Sequence, residues 1–131
     1  MKDKRNIQIA KPSLDKKEWL SIKDSILSGW LTQGPKVKEF EKKFASRHNV
    51  EYAIAVSSCT TGLHLSLLAL DIGPGDEVLV PAFTWVATAN VVTYCGAKPI
   101  FVDIEKDTFN ININSLRKAI SKNTKAIIVV H

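Results

Sequence analysis

Apolar positions recur along this chain in two rhythms, and the change from one to the other outlines the fold. Tyr52-Ala53-Ile54-Ala55-Val56 is a short, almost wholly apolar run, which predicts a strand buried on both faces. Leu63, Leu67 and Leu70, with Leu68, then recur at helical spacing, predicting a helix of about three turns that ends at Leu70. Gly73-Pro74-Gly75-Asp76 reads as a turn, and Glu77-Val78-Leu79-Val80 as a strand ending at Pro81. A helix from Trp85 to Tyr94 stops at Gly96, and Pro99-Ile100-Phe101-Val102-Asp103 is the next strand. Asn112 or Asn114 caps a helix through Leu116 and Ile120, and Lys125–Val130 forms the last strand. Ahead of all this, a polar extended arm runs to Pro12. Ser13 caps a helix over Leu14–Ser28 with Trp19, Ile22 and Ile26 on one face. After Gly29–Pro35, a second helix covers Lys36–His48 with Val37, Phe40 and Phe44 on one stripe.

Short apolar strands alternating with helices predict an α/β fold built from parallel βαβ units. In such sheets ligands gather beyond the carboxyl ends of the strands. The loops at Ser57–Thr61, Pro81–Trp85, Asp103 and His131 all fall at that edge.

Composition narrows the class. The 131 residues suffice for one domain's worth of core, and 45% hydrophobic with 24% charged residues is ordinary for a globular protein. The net charge of +5 is concentrated early: residues 1–50 hold twelve Lys and Arg against six Asp and Glu. That excess is spread along helical patterns, which fits a solvated face better than a nucleic-acid patch. Cys59 and Cys95 suggest neither a disulfide framework nor, with His48, His64 and His131 scattered, a metal site. Met1-Lys2-Asp3-Lys4-Arg5 lacks the apolar core of a signal peptide, and no apolar run approaches membrane-spanning length. The expectation is a cytoplasmic protein with no membrane partner.

Candidate chemistry concentrates at Ser57-Ser58-Cys59-Thr60-Thr61, where strand gives way to helix. The first amides of a helix lack intrahelical partners and carry partial positive charge, so hydroxyls beside them suit a phosphate. Ser58 or Thr60 acting simply as an N-cap is the alternative reading. Trp85, between a strand and a helix, is either a core residue or an exposed ring for a flat heterocycle. Asp103 orients a ligand or caps the loop that follows it. Gly29 and Gly34 have the spacing of a P-loop, but Pro35 stands where the lysine belongs, and no GxGxxG follows a strand.

Six motifs occur in order: Gly29–Pro35, Val56–His64, Pro74–Val78, Phe83–Thr88, Gly96–Asp103 and Thr124–His131. Together they resemble the N-terminal part of the DegT/StrS sugar aminotransferases, fold-type I enzymes using pyridoxal 5'-phosphate (PLP). The look is nearest to those making 4-amino sugars on nucleotide carriers. The resemblance implies a three-layer α/β/α sandwich with a mostly parallel sheet. Residues 1–131 would be an N-terminal arm and the first part of the large PLP-binding domain. It implies that Ser58, Cys59, Thr60 and Thr61 hold the PLP phosphate, that Trp85 stacks on the pyridine ring, and that Trp30, Thr32 and Gln33 help seat a nucleotide-linked keto-sugar. Members often carry glycine or alanine where this chain has Cys59. Glutamate is the implied amino donor and a homodimer the implied assembly. The family's Schiff-base lysine lies beyond His131, so no catalytic residue is assigned, and a chain of this extent is expected to be a fragment, inactive and self-associating by itself. A PLP-dependent sugar dehydratase and a non-catalytic binding module are the alternatives.

Overall fold

The computed structural model describes residues 10–131, so most of the expected arm lies outside the described residues. The chain divides into two units, Met1–Ala55 and Val56–His131.

In the first unit, α1 spans Lys16–Ser28 and α2 spans Pro35–His48. The cap of α1 is Asp15 rather than Ser13. Its carboxylate accepts the Lys17 amide at 2.6 Å while Glu18 reaches back to the Asp15 amide at 2.7 Å. This Asp15-Lys16-Lys17-Glu18 capping box satisfies two orphan donors, and a serine two residues upstream cannot. Gly29 closes α1 in the left-handed region at φ 74°. Pro35 opens α2, where a missing N–H does no harm. Trp19, Ile22 and Ile26 share one side of α1 as expected, yet all are exposed. Along α2 the Phe40 and Phe44 rings meet at 5.8 Å, and Ala45 is its buried residue. The Lys43 ammonium, 2.6 Å from Glu39, holds that exposed carboxyl below the usual carboxylate range.

The expected strand at Tyr52–Val56 does not form. The segment is extended, but among the described residues no strand lies alongside it, and Tyr52 and Ile54 are 76% and 80% exposed. Its Ala55 amide donates instead to the Glu41 carboxylate at 2.9 Å.

The second unit carries a parallel sheet of order β2-β1-β3. Here α3 is Cys59–Ala69, β1 Glu77–Pro81, α4 Ala87–Tyr94, β2 Lys98–Val102, α5 Ile113–Ala119 and β3 Thr124–Ile127. Leu79 pairs with Ile100 on one side and Ile127 on the other, and the β3 register slips between Glu77 and Val78. The last strand is shorter than Lys125–Val130, although the Ile128 amide still donates to the Leu79 carbonyl at 2.9 Å. Alternation along β1 sorts the core onto two faces. Val78 and Val80 pack with Leu67 of α3 and Val91 and Val92 of α4. Leu79 packs on the opposite face with Val102 and Ile111, backed by Leu116 of α5. Helices thus cover both faces of a parallel sheet, the α/β/α layering expected.

Candidate functional site

One helix start and two loops bring chemistry to one edge of this sheet. Helix α3 packs beside α4 and leads through the Gly73–Asp76 turn into β1, so its N-terminal turn lies toward the carboxyl ends of the strands. The turn is closed by the Gly73 amide donating to the Asp76 carboxylate at 3.1 Å, with Gly75 at φ 95°. The loop after β1 delivers Phe83, Thr84 and Trp85 to the same edge, and the loop after β2 delivers Thr108, Phe109 and Asn110.

At the start of α3, Ser58 is the cap. Its hydroxyl accepts the Thr61 amide at 3.1 Å and sits 3.0 Å from the Thr61 hydroxyl, while Ser57 Oγ lies 3.3 Å from that hydroxyl. The Gly62 amide makes the first intrahelical bond, to the Ser58 carbonyl at 3.0 Å. The amides ahead of it on the helix, those of Cys59 and Thr60, are the ones helix geometry leaves without an intrahelical acceptor. No acidic side chain stands in this first turn, and the Cys59 thiol is exposed. Capping is therefore realised, and it leaves donors pointing out of the helix end. A single turn of the chain does both jobs because the cap uses one hydroxyl and one amide.

Trp85 is 78% exposed, so it lies outside the core of the described residues. Beside it, the Thr84 hydroxyl is 3.2 Å from that of Thr88, a buried polar side chain whose need for a partner is met there. Asp103 takes the loop-capping role: its carboxylate accepts the Ile104 amide at 2.8 Å, and its carbonyl accepts the Asn112 amide at 2.9 Å. Asn112, one of the two cap candidates, accepts the Ser115 amide at 2.7 Å.

A cavity of about 530 Å³ opens between these loops, lined by Phe83, Thr84, Trp85, Phe109, Asn110 and His131 among others. Phe83 and Phe109 pack ring to ring at 5.4 Å. Phe109 and Asn110 escaped the sequence reading. The available signal was an aromatic residue alone in the polar run Asp107-Thr108-Phe109-Asn110.

In the first unit Trp30 lines two cavities of about 250 and 460 Å³. Thr32 lines the smaller and Gln33 the larger. Gly34 presses against the indole: a Cβ there would come within 2.9 Å of Trp30 Cε3. The backbone of Gly34 is extended, so the requirement for glycine is one of space. Among the described residues no group of three or more His, Cys, Asp or Glu side chains is placed to hold a metal, and no helix is long and apolar enough to cross a membrane.

Comparison with known proteins follows the same outline. A UDP-4-amino-4-deoxy-L-arabinose–oxoglutarate aminotransferase of Shewanella sediminis is 41% identical over 125 residues, which is 95% of this chain and 32% of the relative. Spr1654 of Streptococcus pneumoniae, a proposed sugar aminotransferase solved in its PMP form, superposes with a TM-score of 0.89 at 40% identity. The match covers 95% of this chain and 32% of that one. An aminotransferase of Psychrobacter cryohalolentis gives 0.85 at 36% identity, over 92% of this chain and 31% of its own. The chain thus spans about a third of the length of the relatives it matches. Residues 12–131 match the DegT/DnrJ/EryC1/StrS aminotransferase family from end to end of the described fold, and the chain belongs to that family.

Proposed function

We propose that the whole protein transfers an amino group to a nucleotide-linked keto-sugar with PLP as cofactor. Residues 1–131 would contribute the N-terminal arm and the first part of the large domain. The observation that carries this reading is the N-terminal turn of α3, where the hydroxyls of Ser57, Ser58 and Thr61 cluster around one helix start with no acidic side chain in its first turn. Exposed amides, hydroxyls and the positive end of the helix dipole fit a phosphate dianion. The Cys59 and Thr60 amides and the hydroxyls of Ser58 and Thr61 would hold it, with Cys59 acting through its backbone. The exposed Trp85 indole at the same sheet edge fits the flat pyridine ring. When bound, PLP supplies the electron sink that lets an amino group pass between donor and acceptor. These residues would bind and orient it, and the buried strand β1 leads directly into the loop that carries Trp85.

For the first unit we propose that Trp30, Thr32 and Gln33 contact the sugar substrate. Glutamate as donor, a homodimer and a cytoplasmic setting, with the product serving cell-surface polysaccharide or other amino-sugar synthesis, complete the reading. The aminotransferase names of the relatives favour it over dehydration. The test is isotope transfer: the full-length protein, PLP, ¹⁵N-glutamate and a UDP-linked 4-keto-pentose should yield a ¹⁵N-labelled amino sugar by mass spectrometry. Loss of the sugar hydroxyl without nitrogen gain would replace amino transfer with dehydration.

A further inference from the structure

Three non-glycine residues among those described have positive φ: Asn49, Asp71 and Phe109. The first two sit at helix ends and are types that tolerate the left-handed region. Phe109 does neither. A bulky side chain in this region is disfavoured, and such outliers persist only where their surroundings impose them.

The surroundings here are a tightly bonded loop. The Phe109 amide donates to the Glu105 carbonyl at 2.9 Å, and the Glu105 amide to the Asn110 carbonyl at 2.7 Å. The Asn112 side chain donates to the Glu105 carboxylate at 2.7 Å. Ile104 bridges to Ile111, which is buried under the sheet. These bonds frame position 109 in the left-handed region, where glycine or asparagine is less strained than phenylalanine. Instead an aromatic ring is held, 58% exposed, against Phe83 at 5.4 Å with the planes inclined by 35°. Both rings line the cavity of about 530 Å³ that Trp85 also lines, a size suited to a small ligand.

We propose that Phe83 and Phe109 form the seat for the sugar ring of the nucleotide-linked substrate, a specificity-determining contact that rests on the proposed function. Two features select the sugar over the rest of that substrate. The cavity has aromatic faces edged by Thr84, Thr108 and Asn110, which matches a pyranose or furanose, apolar on its C–H face and ringed by hydroxyls. Among the described residues no Lys or Arg lines it, so no cationic side chain is placed there to pair with a diphosphate.

The experiment compares UDP-4-amino-4-deoxy-L-arabinose with UDP alone by calorimetry, using the full-length protein. Phe109→Asn keeps a backbone that accepts positive φ and removes the ring, and Phe109→Tyr restores the ring. The asparagine variant should bind the UDP-sugar about tenfold more weakly while UDP binding stays within about twofold, the loss typical of one aromatic anchor. The tyrosine variant should recover most of the difference. Phe83→Leu, which leaves the loop bonds untouched, should weaken UDP-sugar binding in the same selective way. Unchanged UDP-sugar affinity in a folded variant, equal loss for UDP and UDP-sugar, or no UDP-sugar binding by the unaltered protein would each overturn the proposal. PLP absorbance in the same samples reports on the phosphate turn separately.

Discussion

Ser58 Oγ accepts the Thr61 amide at 3.1 Å, and this bond is both a helix cap and one wall of the proposed phosphate site. The two roles separate by substitution. Ser58→Ala removes the cap and should lower unfolding free energy by about 1 kcal/mol, whereas Ser58→Gly should cost only a few tenths. If backbone amides carry the phosphate, the glycine variant keeps most of its PLP affinity. Urea unfolding and PLP titration of both variants measure the two effects. A glycine variant as stable as its parent but unable to load PLP would make the Ser58 hydroxyl, and not the backbone amides, the main contact.

Gly34 and Trp30 form a second coupled pair. Gly34→Ala must push the indole aside, because the new Cβ meets the ring body and no flexible chain end. The expected cost is about 1–3 kcal/mol, typical of overpacking. The same change in a Trp30→Ala background should cost almost nothing, giving a coupling of roughly 0.5–3 kcal/mol in a double-mutant cycle. Additive effects would mean that the indole does not rest on Gly34 in solution.

Leu79 and Ile54 look alike in the sequence, each inside a short apolar run, and the structure treats them oppositely. Leu79 is fully buried in the central strand, and Ile54 is 80% exposed. Leu79→Ala should cost about 2–5 kcal/mol, a large part of the total stability of a small domain. Ile54→Ala should stay within about 0.5 kcal/mol in this chain. Denaturant midpoints of the two variants check the contrast, and a large Ile54 effect would restore a buried strand there.

That contrast marks how far the sequence could be read. Hydropathy says that a run tends toward burial, and not whether a partner strand stands beside it. Val78–Val80 found partners on both sides, and Tyr52–Val56 did not. Local chemistry was legible where a single residue decides it. Asn112 and Ser58 cap as their types suggest, but Asp15 displaced Ser13 because its box with Glu18 satisfies two donors. The hydroxyl-rich turn and Trp85 were visible because they flank strong periodic elements. Phe109 was not, since its left-handed backbone is set by bonds from Glu105, Asn110 and Asn112 that no periodicity encodes.

Trp85 offers the most direct test of the cofactor reading, because its exposure separates binding from folding. A side chain 78% exposed in residues 1–131 contributes little to the core of this chain, so Trp85→Ala should leave the unfolding free energy of this chain within about 0.5 kcal/mol. An indole stacked on a pyridine ring should contribute about 0.5–1.5 kcal/mol beyond its buried area, so PLP affinity should fall roughly threefold to tenfold or more. Trp85→Phe keeps an aromatic face and should recover most of it, whereas Trp85→Leu keeps comparable apolar bulk and should not. Urea unfolding of residues 1–131 gives the first number, and PLP titration of the full-length variants followed by absorbance gives the second. Equal recovery by phenylalanine and leucine would reduce the contact to simple burial. A stability loss above about 2 kcal/mol in the alanine variant would place the ring back in the core.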